Sequence, residues 1–284
     1  MGREVITMKK KLATQEMVKA FLAAKTSRGL SPKTLGLDRW TLGLLGQRFA
    51  KLPTGPEALE ELLGSLGGSR ETKHGHWRRL RTFFRWCGRR YGSPNPMTEI
   101  SAPRRLKRPP RVLTVEQVQH LLGCCRDMRD RSLLELLLDT GIRIGEAWAL
   151  RTPDILQETV IVDGKTGQRE VPISPQVRGL LLETPLPWEG AKGPLSLSGL
   201  KQVVIRVVAR AGITGPKHGP HLLRHTFARL YILAGGDPFS LREILGHTSV
   251  ETTQIYVGMD RLAVIAQHAK YSPMRSLSRS LNLL

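Results

Sequence analysis

Residues 140–150 read Thr-Gly-Ile-Arg-Ile-Gly-Glu-Ala-Trp-Ala-Leu, the end of one helix followed at once by the start of another. Gly141 suits the left-handed residue that closes a helix, and the next helix opens at about Arg143. An arginine at such a junction can aim its guanidinium fork at an anion. Glu146, three residues on, lies on the same helix face and can hold that fork in place. Taken alone the pair reads as a helix-surface ion pair, so its meaning depends on what surrounds it.

Downstream, Thr159–Asp163 and Arg169–Ile173 alternate and are rich in Val and Ile. They flank Gly164-Lys165-Thr166-Gly167, which predicts a small β-hairpin. The rest of this half reads as helices: about 131–140, 176–183, 198–211, 221–234, 238–245, 250–256 and 261–269. Thr114 and Gln117 stand at capping-box spacing ahead of one more. Upstream, a first helix covers about 12–27. Ser31-Pro32, an N-cap followed by proline at the first helical position, opens a second towards Phe49. A third ends near Leu66, and Gly67-Gly68-Ser69 separates it from a fourth over 71–90.

That fourth helix is the most informative of the group. At a 3.6-residue period Trp77, Leu80, Phe83, Phe84 and Cys87 share one face, while Arg78, Arg81, Arg85 and Arg89 form a stripe on the other. The stripe carries one sign with no interleaved Glu. Like charges at helical spacing repel, and a phosphate backbone would offset that cost. The fold expected is mainly α with a small β-hairpin, in two domains. A helical DNA-binding domain covers 12–99, a basic, proline-rich linker covers 100–112, and a second domain covers 113–284. The linker carries Arg104, Arg105, Lys107 and Arg108 as further candidates for DNA contact.

Charge supports a nucleic-acid partner. The 284 residues hold 44 Lys plus Arg against 24 Asp plus Glu, a formal net charge of +20. Residues 1–112 carry 24 basic and 8 acidic residues, and 113–284 carry 20 and 16, so the excess is concentrated in the first half. Such a bias fits a polyanion. Three cysteines are too few for a disulfide framework or a four-ligand zinc site, and no metal or other cofactor is expected. No apolar run approaches the ~18–20 residues of a membrane helix, and the N-terminus does not read as a signal peptide. The expected location is the cytoplasm, at the nucleoid.

Three further signals carry chemistry. In His221-Leu222-Leu223-Arg224-His225, His221 and Arg224 share a helix face and pair a proton-transfer group with a fixed positive charge. In Leu245-Gly246-His247, Gly246 suits a helix C-cap. Tyr256 follows nine residues after His247. Each recurs by chance, but their order is distinctive. Arg143, Lys165, His221, Arg224, His247 and Tyr256, within "TGIRIGEAWAL", "GKTGQREVPI", "HLLRHTFA" and "LGHTSVETTQIY", resemble the tyrosine recombinase (phage integrase) family. The resemblance covers the whole second domain, and the first, with "RGLSPKT", resembles the family's core-binding domain.

The resemblance implies a two-domain DNA clamp that recombines double-stranded DNA at inverted-repeat sites. Tyr256 would attack the scissile phosphate to give a 3′-phosphotyrosine and a free 5′-hydroxyl. Arg143 and Arg224 would clamp the non-bridging oxygens, with Glu146 orienting Arg143. Lys165 would protonate the leaving 5′-oxygen, with Lys192, Lys201 and Lys217 as less fitting substitutes. His221 would assist proton transfer, and His247 would hydrogen-bond the phosphate. Strands would pass through a Holliday junction in a homotetramer linked by exchange of the tails, residues 257–284. The physics agrees: fixed Arg donors stabilise charge spread over phosphoryl oxygens, and a tyrosine hydroxyl with a pKa near ~10 needs help to attack at neutral pH. Two other readings stand beside this one. A DNA-binding protein on the same scaffold would lack some of these side chains, and a type IB topoisomerase would relax supercoils without joining two DNA molecules.

Overall fold

Short polar side chains start most of the helices. The hydroxyl of Ser31 accepts the Thr34 amide at 3.4 Å and that of Ser69 the Thr72 amide at 3.2 Å. Asp127, Ser174, Ser196 and Asp237 do the same at later starts. Each cap satisfies a backbone donor that the helix itself leaves unpaired. The computed structural model describes residues 13–104, 110–164, 167–215 and 218–246. Lys165, His247, Tyr256, Arg105, Lys107, Arg108, Lys217 and the tail 257–284 lie outside the described residues. The chain divides into two units, residues 1–107 and 108–284.

The first unit is helical: α1 (Thr14–Thr26), α2 (Pro32–Arg48), α3 (Glu57–Ser65) and α4 (Arg70–Tyr91). Its core is built on the apolar face of α4, where Trp77, Leu80, Phe83, Phe84 and Cys87 are buried against α1 and α2. Phe21 of α1 meets Phe83 edge-on at 5.3 Å. A fully buried Leu or Phe contributes about 1.5–3 kcal/mol, so this face supplies much of what holds the helices together. The Trp77 indole donates to the Ile100 carbonyl at 3.0 Å, and buried Ile100 belongs to the same core. Burial pushes the Cys87 thiol up to about 12, so this side chain packs as a small hydrophobe.

The second unit comprises α5 (Val115–Gly123), α6 (Met128–Thr140), α7 (Ile144–Ala149), β1 (Thr159–Gly164), β2 (Gly167–Pro172), α8 (Pro175–Glu183), β3 (Glu189–Gly190), β4 (Gly193–Pro194), α9 (Leu197–Arg210), α10 (Pro220–Leu233) and α11 (Pro238–Leu245). β1 and β2 pair antiparallel, with Gly164 opposite Gly167. Helix α6 runs through the middle. Leu133, Leu134, Leu136 and Leu137 are all fully buried, and α8, α9 and α10 pack around them. These leucines make α6 a core helix, although it also carries Arg129, Asp130, Arg131, Glu135 and Asp139.

Two details differ from the sequence reading. Helix α6 starts at Met128, three residues early, because the Asp127 carboxylate accepts the Asp130 amide at 2.8 Å. The β3–β4 hairpin has no counterpart in the sequence pattern, since two-residue strands show no alternation. It flanks fully buried Trp188, whose indole donates to the Ala147 carbonyl at 2.6 Å and so fixes the position of α7. The expected capping box is present: the Thr114 hydroxyl accepts from the Gln117 amide, and the Gln117 side chain accepts from the Thr114 amide. Among the described residues no helix is long and apolar enough to cross a membrane.

Opposite the buried face of α4, Arg78, Arg81, Arg85 and Arg89 are all exposed. Arg81 lies over the Trp77 ring, 5.0 Å from its centroid. Arg79 lies off this stripe, 3.6 Å from buried Asp38. If the stripe neutralises phosphates, replacing Arg81 and Arg85 by Ala weakens binding to duplex DNA and lowers the salt slope by ~0.9 for each phosphate left without its arginine. A salt titration of binding checks this, and an unchanged slope would return the stripe to an ordinary solvated face.

Candidate active site

The site is assembled around the C-terminus of α11. Gly246 closes that helix in the left-handed conformation (φ 61°), and its amide bonds back to Arg242 and Glu243. The last carbonyls of a helix have no partner of their own and sit at the negative end of its dipole. Here three consecutive ones accept from three guanidiniums. The Ile244 carbonyl accepts from Arg169 Nε at 3.3 Å, the Leu245 carbonyl from Arg224 Nη2 at 2.8 Å, and the Gly246 carbonyl from Arg143 Nη2 at 3.3 Å.

Each arginine reaches that turn from a different element. Arg224 lies on α10, is 6% exposed, and donates its other Nη to the Gly141 carbonyl at 2.6 Å. Gly141 closes α6 with φ 61°, and a β-carbon there would lie 2.2 Å from the Phe227 ring. Glycine is thus required twice over, for its backbone angle and for the approach of α10. Arg143 is the N-cap of α7. Its amide donates to Glu146 Oε2 at 2.8 Å and its Nη1 to Glu146 Oε1 at 2.9 Å. Glu146 thus accepts two hydrogen bonds from Arg143, three residues before it.

Arg169 is a residue of this cluster that the sequence pattern does not single out. It comes from β2, and its two Nη atoms donate to the two Glu146 oxygens at 2.9 Å each, a fork-on-fork pair. A signal was available: Arg169 stands on the same strand face as buried Val171, where a charged side chain needs a buried partner. Burial pushes the Glu146 carboxyl up, but hydrogen bonds and charge from Arg169 and Arg143 outweigh it and hold the group below the usual carboxylate range. Gly164 allows this packing, because a β-carbon there would lie 2.5 Å from Glu146 Oε1.

These groups border a cleft of about 340 Å³ lined by Arg143, Glu146, Asp163, Gly164, Lys201, His221 and Arg224, among others. His221 is exposed on α10, with its ring 6.4 Å from that of His225. Of the six predicted catalytic residues, the structure thus brings Arg143, His221 and Arg224 together. Lys165 follows directly on Gly164 of the cleft, and His247 directly on Gly246 of the turn, but both lie outside the described residues, as does Tyr256. Lys201 of α9 is a further cation at the cleft. Arg143, Arg169 and Arg224 against Glu146 leave an excess of two positive charges, which suits a bound anion whose charge grows during reaction.

Residues 111–261 match the Phage integrase family. Among curated proteins the chain is similar to tyrosine recombinase XerC of Oceanobacillus iheyensis, 32% identical across 71% of this chain and 72% of the relative. It is similar to tyrosine recombinase XerD of Staphylococcus haemolyticus, 29% identical across 87% of this chain and 94% of the relative. The chain spans about two thirds of the length of several other XerC relatives, such as that of Alcanivorax borkumensis, at 66%. Among solved structures it resembles a lambda integrase dimer bound to a COC′ core site, with a TM-score of 0.73, 20% identity, and 90% of this chain and 81% of that one covered. It also resembles the Tn1549 transposon integrase in complex with transposon right end DNA, with a TM-score of 0.74, 19% identity, and 91% and 99% covered. At such identities the likeness concerns the fold.

The depressed Glu146 carboxyl makes a stability prediction with a definite sign. A group whose folded-state pKa is lowered stabilises the fold above its ordinary value, 4.5 here, and that contribution is lost as pH falls through the folded value. Glu146→Gln therefore flattens the acid-side loss of stability in the second unit. Amide exchange of α6 in urea at pH 7 and at roughly pH 4 checks this. An unchanged pH dependence would mean that the carboxylate contributes nothing.

Proposed function

The chain belongs to the phage integrase family of tyrosine recombinases, and from that premise we propose that it recombines DNA at specific sites through a covalent link to Tyr256. The observation that carries this reading is the convergence of Arg143, Arg224 and His221 on one cleft. Two arginines held by helix-terminal carbonyls are preorganised donors. They need no rearrangement when the phosphoryl oxygens gain charge.

In the proposed cycle the Tyr256 hydroxyl attacks the scissile phosphorus and forms a P–O bond to the protein. The bond from phosphorus to the 5′-oxygen breaks, and that oxygen takes a proton from Lys165. The tyrosine's own proton passes to a base, a role that suits His221. His247 donates to the phosphate, and Glu146 keeps Arg143 aligned. A 3′-phosphotyrosine is still a diester, so a 5′-hydroxyl from a partner strand reverses the chemistry without ATP. Two such rounds pass through a Holliday junction and join two duplexes. Exposed arginines of α4 and the linker residues Arg104, Arg105, Lys107 and Arg108 would bind the phosphate backbone on either side of the cut. We assign the partner as double-stranded DNA with inverted-repeat sites, met in the cytoplasm at the nucleoid. The assembly is a homotetramer linked by exchange of residues 257–284.

Tyr256→Phe removes one oxygen and tests the cycle directly. The substrate is a duplex that the wild-type chain selects from a random-sequence pool, nicked next to the cut. Wild type forms a covalent complex that survives denaturation and persists in EDTA. The variant binds the same duplex and forms no adduct. An adduct from the variant, or loss of the wild-type adduct on chelation with recovery on adding magnesium, would overturn the assignment. On paired sites, relaxation of supercoils without joined products would point to a topoisomerase instead.

A further inference from the structure

Glu146 is 3% exposed and accepts four hydrogen bonds, two from Arg143 and two from Arg169. Arg143 and Glu146 alone would sum to no net charge. A carboxylate that orients the arginine would then cancel much of the field the arginine exerts on a phosphate. Arg169 restores one positive charge to the trio. Its side chain is 15% exposed against 33% for Arg143, so it faces the carboxylate while Arg143 remains the more accessible of the two. Its Nε is anchored on the Ile244 carbonyl at 3.3 Å, at the same turn that holds Arg143 and Arg224. A β-carbon on Gly246 would sit 3.0 Å from its Cζ, so the backbone leaves room for this guanidinium and little else.

We propose that Arg169 is a positioning residue for strand cleavage, compensating Glu146 so that Arg143 is both aligned and electrostatically free to act on the phosphate. This rests on the reading of Arg143 as a phosphate clamp. A mere pin fastening β2 to α11 would use the same contacts, but the two roles differ in one consequence. If Arg169 acts through charge, deleting its partner as well repairs part of the damage, because Arg143 is then left with its own charge uncancelled. If Arg169 is only a pin, its loss lowers the stability of the second unit while the folded fraction still cleaves at the wild-type rate.

The experiment uses the full chain and the nicked duplex selected by wild type, and reads the single-turnover rate of covalent complex formation together with duplex affinity. Arg169→Gln slows cleavage roughly tenfold or more with affinity changed by less than about threefold. The double variant E146Q/R169Q cleaves faster than R169Q. Arg169→Lys keeps the charge but not the fork, so it cleaves faster than R169Q and slower than wild type, and it serves also if R169Q does not fold. The inference is overturned if R169Q cleaves like wild type, if the double variant is no faster than R169Q, or if R169K is no faster than R169Q. A wild-type chain that forms no adduct at all would instead refute the function proposed above.

Discussion

Three guanidiniums converge on the last turn of one helix, and the site is arranged around that contact. Arg169, Arg224 and Arg143 come from a strand, a helix and a helix N-cap far apart in sequence, and they meet at the carbonyls of Ile244, Leu245 and Gly246. Those carbonyls are acceptors that α11 cannot satisfy internally, at the negative end of its dipole. Bringing like charges together is unfavourable unless acceptors and a counter-charge are supplied. The turn supplies the acceptors and Glu146 the counter-charge. The surrounding constraints follow from this. Gly141 lets α10 approach the end of α6, Gly164 lets the hairpin approach Glu146, and Gly246 leaves space for the Arg169 fork.

Much of this is legible in the sequence, and what is not has a common cause. The starts at Ser31 and Thr114 are legible because each cap acts on an amide three residues away, whereas the Asp127 cap sets the start of α6 three residues before the expected one. The apolar face of α4 is legible because burial repeats with the helical period. Arg143 and Glu146 are legible as a pair for the same reason, both being on one turn. Arg169 escapes such a reading because its partner lies 23 residues away, across the hairpin, and no local pattern joins the two. The carbonyl acceptors escape it because every residue has one, and only the tertiary fold shows which are left unpaired. The β3–β4 hairpin escapes it because its strands are too short to carry a period, although the buried Trp188 beside it hints at a structured segment.

The two units divide the physical work unevenly. The first spends its apolar residues on one core around α4 and presents a row of arginines to solvent, with little acidic charge to neutralise them. The second carries a nearly balanced sequence but concentrates positive charge in one cleft, where each arginine is fixed by backbone acceptors. Exposed surface arginines suit sequence-independent contact with a backbone. Arginines locked before the substrate arrives suit stabilisation of a charge that appears only during the reaction. The same residue type serves both purposes, and the difference lies in what holds it.

The three arginines at the cleft meet at the turn at Gly246. A β-branched residue is strained at a φ of 61°, and a β-carbon at Gly246 lies within 3.0 Å of the Arg169 guanidinium. Gly246→Val therefore displaces the carbonyls that gather the three arginines while leaving the first unit untouched. The decisive quantity is the single-turnover rate of covalent complex formation on nicked duplex, read alongside duplex affinity. If the turn organises the arginines, that rate falls roughly a hundredfold or more, comparable to losing an oxyanion donor, with most of the affinity kept. Cleavage within about threefold of wild type would contradict this role for the turn.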